Sequence, residues 1–346
     1  MATLALCLTE RMLARAGEER RFTLFCSRER PAGLNGAACR AVLSPYQHEV
    51  LNKLRWLPAV EADAGLDAVL YPYWPCPPRR RHGAPPATMV VHDLAFRVCP
   101  REVPWQQRAY MGTILPRALR RAAAVVTPSA ATRRDLLEHY RLAGLAERVH
   151  VVPEGWSLGD VAPAPLPEGL APGFLLAVGT IEPRKNYPRL LAAYRLLKAR
   201  GSVPPLVVVG RVGWAYGSAL DELRAEAGVR LLTDVDDATL RGLYRSAAAL
   251  AFPSLYEGFG LPLLEAMAEG LPAVAGSTGA LPELAGDAAL LVDPFDVEAI
   301  ADGLERVLDD GDLRARLLAA GPSRAARFSW DAAARATLQV LDDHLA

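Results

Sequence analysis

Residues 252–270 read FPSLYEGFGLPLLEAMAEG. An apolar run, AAALAFPS, ends at Ser254, a loop carries the chain to Pro262, and the helical pattern LPLLEAMAE begins there. Gly258 and Gly260 lack Cβ atoms, so backbone N–H groups along Gly258, Phe259, Gly260 and Leu261 can approach phosphate oxygens closely. Two carboxylates, Glu257 and Glu265, stand eight positions apart on either side of this elbow. Glu257 precedes the turn and is placed to meet the hydroxyls of a sugar. Glu265 lies one turn into the helix, where it can accept hydrogen bonds from a vicinal diol such as ribose. A glutamate near a helix start also serves as a plain dipole partner. The pair together with the glycines suits a loop that cradles a phosphorylated sugar.

The strand, loop and helix of this stretch repeat on both sides of it. Short β-branched runs at 174–178, 206–209, 230–232, 248–252, 273–276 and 289–292 alternate with helical patterns, as do runs at 22–26, 68–71, 88–92 and 124–127. Such alternation predicts parallel sheets built from βαβ units. Leu190, Leu191, Tyr194 and Leu197 mark one face of a helix over 188–200. The Pro- and Gly-rich segment LGDVAPAPLPEGLAPG at 158–173 reads as a linker. The expected architecture is α/β: two Rossmann-like, doubly wound domains, 1–160 and 173–328, facing a central cleft, with a final amphipathic helix at 329–346.

At 346 residues the length fits about two domains. No uncharged apolar run reaches the roughly eighteen residues of a membrane span, and no signal-peptide pattern opens the chain, so a cytoplasmic protein is expected. Five scattered cysteines without a C-x-x-C pair read as reduced small hydrophobes. The histidines form no H-x-x-x-H or H-x-H cluster, so no protein-held metal is expected. A net charge of zero hides an asymmetry: residues 1–150 carry 22 Lys+Arg against 13 Asp+Glu, and residues 151–346 carry 17 against 26. The basic half suits peripheral contact with an anionic membrane at its inner face, although a coding bias toward arginine produces the same clusters. No aromatic-basic interleaving points to nucleic acid.

Ligands of open α/β sheets sit beyond the carboxyl ends of strands, so residues just after each strand come first. After FLLAV, Arg184 and Lys185 precede a helix with Pro188 in its first turn; they can neutralise a diphosphate, or stand merely solvated. After TMVVHD, His92 can exchange hydrogen bonds with a substrate hydroxyl or phosphate while Asp93 orients it, or the pair is structural. Glu283 reads as a helix-start residue. Trp214 fits a core or a cleft wall equally.

The stretches FLLAVGTIEPRKNYPRLL, FPSLYEGFGLPLLEAMAEGLPAVAG and ALPELAGDAALLVDP resemble the retaining glycosyltransferases of family four, and VVHDLAF, VVTPSAATRRDL and VHVVPEG resemble their acceptor-side half. The likeness covers about residues 85–335 and implies the two-domain GT-B fold. It further implies metal-independent transfer of a hexosyl group, with retention, from a nucleotide sugar to a glycan or lipid-linked acceptor in cell-surface polysaccharide biosynthesis. The wording EPRKN and VHDLAF is nearest the bacterial mannosyltransferase-like members, which implies GDP-mannose as co-substrate. On this resemblance Arg184 and Lys185 match diphosphate binders, Glu257 the residue holding the donor sugar, Glu265 the ribose-binding carboxylate and His92 the histidine near the transferred sugar. One departure stands out: relatives open with a strand and glycine-rich loop, whereas 4–16 reads as the helix after it. Either the true start lies upstream and the opening strand and loop are missing, the favoured expectation, or MATLALCL itself serves as the strand without glycines. Other readings are a sugar-phosphate synthase or phosphorylase on the same fold, and a non-catalytic nucleotide-sugar-binding partner.

Overall fold

The computed structural model describes residues 2–15, 20–26, 34, 39–46, 51–73, 75–156, 158, 161–201, 203–214 and 217–345. Among them run twelve strands: β1 Phe22–Cys26, β2 Cys39–Leu43, β3 Val69–Tyr71, β4 Ala87–Val90, β5 Ala124–Thr127, β6 Val149–Val151, β7 Leu175–Val178, β8 Leu206–Val209, β9 Val229–Leu232, β10 Ala249–Phe252, β11 Ala273–Gly276 and β12 Leu290–Val292. Every pairing between them is parallel. Two compact units divide the chain: Met1–Leu94, Ala109–Gly155 and Ser329–Ala346 form the first, and Ala95–Arg108 and Trp156–Phe328 the second.

The second unit is one six-stranded sheet in the order β12-β11-β10-β7-β8-β9. Its strand sequences LLAV, LVVV, ALAF and AVAG carry no polar alternation because both faces are covered. On one face Leu176, Val207, Leu250 and Phe252 pack with Leu263, Leu264 and Met267 of the helix Leu261–Ala268. On the other, Leu175, Val208, Ala251 and Val274 pack with Leu190, Leu191, Tyr194 and Leu197 of the helix Tyr187–Arg200. The apolar stripe expected over 188–200 is thus that helix's buried face. Each fully buried Leu or Val contributes about 1.5–3 kcal/mol. Strand order reverses between β7 and β10, so the loops leaving these two neighbours open a crevice at the carboxyl edge of the sheet.

The first unit contains a four-stranded sheet, β3-β4-β5-β6, and a separate pair, β1-β2. Leu8 and Met12 of the helix Ala2–Ala14 join Val90, Val126 and Val152 in its core, together with Trp330, Ala333, Ala334 and Leu338 of the helix Trp330–Asp342. The last helix therefore belongs to the first unit. The segment 158–173 is less free than a linker: Leu158 is buried, Leu166 and Leu170 pack on the second unit's core, and Ala164 N donates to Ala238 O at 2.9 Å. Its three leucines outweigh the flexibility that Pro and Gly suggest.

Candidate active site

The loop leaving β7 turns through Pro183–Lys185 in a single 3₁₀ turn and then through Asn186, at φ 63° and ψ 30°. Asparagine tolerates this left-handed conformation better than most residues. Its buried side chain donates to Pro253 O at 3.0 Å and Pro294 O at 2.6 Å, which ties the loop to the ends of β10 and β12. Arg184 and Lys185 are held between these fixed points.

The loop leaving β10 is braced from below. Gly260, at φ 112°, precedes the helix Leu261–Ala268, and a Cβ there would lie 2.7 Å from Leu281. Gly279, at φ 60°, passes so close beneath the loop that a Cβ would lie 2.6 Å from Glu257 O. Ala280 N donates to that same oxygen at 3.0 Å, and Thr278 Oγ1 donates to Ser254 O at 3.2 Å. Phe259 turns its ring into the core against Phe328, and Leu261 packs there as well, so what they can offer a ligand is backbone.

Arg184, Lys185 and Glu257 meet at the crevice. Lys185 Nζ donates to Glu257 Oε1 at 2.6 Å, and Arg184 Nη1 donates to Glu257 Oε2 at 2.8 Å and to Tyr256 O at 2.9 Å. Arg184 Nη2 donates to Glu182 Oε1 at 2.7 Å. Two cations and two carboxylates thus balance in a buried cluster. Burial opposes ionisation of Glu257, but Arg184 and Lys185 outweigh it and hold its pKa down at about 2. Burial also pushes the Lys185 ammonium down, with Glu257 opposing that shift. Glu257 is only 6% exposed, so it cannot reach a ligand except through this crevice.

Glu265 stands apart from the cluster. It is half-buried, and its Oε2 accepts from Tyr244 Oη at 2.9 Å. Burial pushes its pKa up to about 7, against the stabilising hydroxyl. Tyr244 belongs to the helix Asp237–Ser246, whose capping residue Asp236 borders a pocket of about 260 Å³. Val209, Gly210, Arg211, Asp234 and Val235 complete its lining at the carboxyl ends of β8 and β9.

In the first unit His92 follows β4, and its orienting carboxylate is Glu154 rather than Asp93. The ring's Nδ1 lies 2.9 Å from Glu154 Oε1 and its Nε2 lies 2.8 Å from Pro72 O. A carbonyl can only accept, so Nε2 carries a proton, and a carboxylate at Nδ1 favours a second one. Burial alone would lower the His92 pKa; Glu154 and the Pro72 carbonyl raise it above the ordinary value. The adjoining cavity of about 20 Å³ has room for a water and none for a hexose.

Of the residues expected from sequence, the structure joins Arg184, Lys185 and Glu257 in one cluster, on the same loops as Gly258, Phe259, Gly260 and Leu261. Glu182 and Asn186 escaped that reading although they flank Arg184 and Lys185 in EPRKN. Glu154 sits in VVPEG, 62 residues from its histidine. Nothing local in the sequence marks Tyr244.

Residues 163–324 match the family model for glycosyl transferases group 1, and residues 8–158 that for Glycosyltransferase Family 4. The O-antigen chain mannosyltransferase B of Escherichia coli is 34% identical over 258 residues, 71% of this chain and 67% of that protein. The chain belongs to the family-four glycosyltransferases. A phosphatidyl-myo-inositol mannosyltransferase of Mycolicibacterium smegmatis is 34% identical over 219 residues, 60% of this glycosyltransferase and 55% of the relative. The matched stretches thus span about half to two thirds of these relatives' length. Among solved structures, sucrose-phosphate synthase from Thermosynechococcus elongatus superposes with a TM-score of 0.77 at 22% identity, covering 99% of this chain and 93% of that one. Anabaena HepE in complex with UDP and glucose gives 0.71 at 18%, covering 98% and 95%. The fold is GT-B.

Proposed function

We propose that this glycosyltransferase moves a mannosyl group from GDP-mannose, with retention and without a required metal, to a glycan or lipid-linked acceptor in cell-surface polysaccharide biosynthesis. The observation that carries the reading is the Arg184–Lys185–Glu257 cluster at the sheet's switch point. The bond to Glu257 takes one of the three N–H donors of the Lys185 ammonium. In this reading both cations receive the donor's diphosphate and stabilise the leaving nucleoside diphosphate as charge develops, the task a divalent ion performs elsewhere. Glu257 exchanges part of its bonding to them for the hydroxyls of the sugar. Glu265 accepts the ribose diol, and the pocket between β8 and β9 takes the base, since Asp236 at its rim begins the helix that carries Tyr244. His92, held between Glu154 and the Pro72 carbonyl, is the first unit's contribution to transfer in this reading. Relatives named mannosyltransferases support the sugar assignment. No helix among the described residues is long and apolar enough to cross a membrane.

The test is turnover with a panel of nucleotide sugars, with the product's anomeric configuration read by NMR. GDP-mannose should be used best, with retention, and chelator should leave the rate unchanged. Glu257→Gln should lower kcat at least a hundredfold, about 2.7 kcal/mol of transition-state stabilisation. Inversion, strict dependence on an added divalent ion, or a Glu257→Gln variant that turns over like the parent would overturn the assignment.

A further inference from the structure

The segment Ala95–Arg108 is held from one side and presented on the other. Ala95, Phe96 and Val103 are buried and anchor it, while Arg97, Val98, Arg101, Trp105 and Arg108 are exposed. Trp105 is 67% exposed, the largest value among the large exposed hydrophobics of the described residues, and Val98 is 42% exposed. An indole with an apolar ring and a polar N–H, exposed on the same segment as an exposed valine and three exposed arginines, combines the side chains favoured where a membrane meets water. Trp105 opens the helix Trp105–Leu119, and Arg108 lies one turn further along the same side. Pro100 and Pro104 stiffen the path between the short helix Ala95–Val98 and this one. The segment carries three exposed arginines and a single acid, the half-buried Glu102.

We propose that the exposed side of Ala95–Arg108 docks on an anionic lipid bilayer. Trp105 and Val98 enter the headgroup boundary, where an indole keeps its ring among acyl chains and its N–H wet, and the arginines pair with lipid phosphates. Charge complementarity selects this occupant. Single-stranded nucleic acid would want successive stacking aromatics, and this segment exposes one. The inference rests on the reading above, in which a lipid-linked acceptor brings the enzyme to a membrane, and it gives that contact a definite surface.

The experiment measures co-sedimentation of the full chain with vesicles of phosphatidylcholine alone and of phosphatidylcholine mixed with phosphatidylglycerol. The parent should bind the anionic vesicles, weakening steeply with salt. The triple variant Arg97→Gln, Arg101→Gln, Arg108→Gln should bind on the order of a hundredfold more weakly, and Trp105→Ala about tenfold. Both variants should retain the parent's turnover with a soluble acceptor, which shows that they fold. Equal binding to neutral vesicles, or anionic binding unchanged in the triple variant, would overturn the proposal while leaving the mannosyltransferase reading intact. Vesicle binding of the expected pattern without sugar transfer would instead support this surface and count against that reading.

Discussion

Glu257, on the loop after β10, and Glu265, in the helix that follows it, share a side chain, yet their environments shift their acidities in opposite directions. Glu257 faces Arg184 and Lys185, which hold its pKa down at about 2, so it is charged at neutral pH. Glu265 has burial and a neutral hydroxyl for company, and sits at about 7. A diol donates best to the ionised carboxylate, so below pH 7 each unit of acid should weaken GDP binding by up to about tenfold. For stability the sign is reversed: the folded-state pKa lies above the unfolded one, so the contribution is complete below about pH 4 and is lost as pH rises through 7. On the alkaline side, discharge of Lys185 should weaken diphosphate binding, making the profile a bell. Isothermal titration of GDP across pH should show the acid limb in the parent and a flat limb in Glu265→Gln; an unchanged acid limb would remove Glu265 from the site.

The loop after β10 keeps its shape because another element lies directly beneath it. Gly279→Ala would force a left-handed φ on alanine and press a methyl into the Glu257 backbone. The expected cost is about 2 kcal/mol or more of stability, with a weaker GDP affinity as well. Urea unfolding and titration with GDP check the two together, and a variant as stable as the parent would show that the brace yields. Such bracing also explains which elements could be read from sequence. Strands β7, β8, β10 and β11 announce themselves because burial on both faces leaves uninterrupted apolar runs, and the glycines of EGFG announce their turn. The strands β2, CRAVL, and β6, VHV, were missed because partial exposure and brevity blur their pattern. The ring partner of His92 escapes the sequence for another reason: Asp93 is adjacent in the chain, whereas the side-chain bond reaches Glu154, beyond the end of β6 and two strands along the sheet from β4.

At the scale of the molecule, chain order and spatial order part company. Arg15, just past the helix Ala2–Ala14, and Asp331 of the helix Trp330–Asp342 bond at 2.9 Å across 316 positions, and these two helices share the first unit's core. No local pattern reveals that a last helix closes the first unit, nor that Ala95–Arg108 joins the second; both follow from long-range burial. Trp330→Ala should destabilise the first unit by about 3–5 kcal/mol. Calorimetry should then show an earlier unfolding step, while GDP still raises the melting temperature of the second unit; a single transition lowered equally with and without GDP would mean that the units do not melt separately.

The cluster of Arg184, Lys185, Glu182 and Glu257 also bears on what the enzyme ignores. A cell is crowded with phosphates, and two buried cations left alone would attract all of them. A bare anion that drew Arg184 and Lys185 away would strand Glu257 as an uncompensated buried charge, a loss of about 3–5 kcal/mol. In the proposed binding mode the hydroxyls of a sugar, carried beside the diphosphate, replace what Glu257 gives up. Inorganic phosphate, which brings no sugar, should then compete less well than a nucleotide sugar.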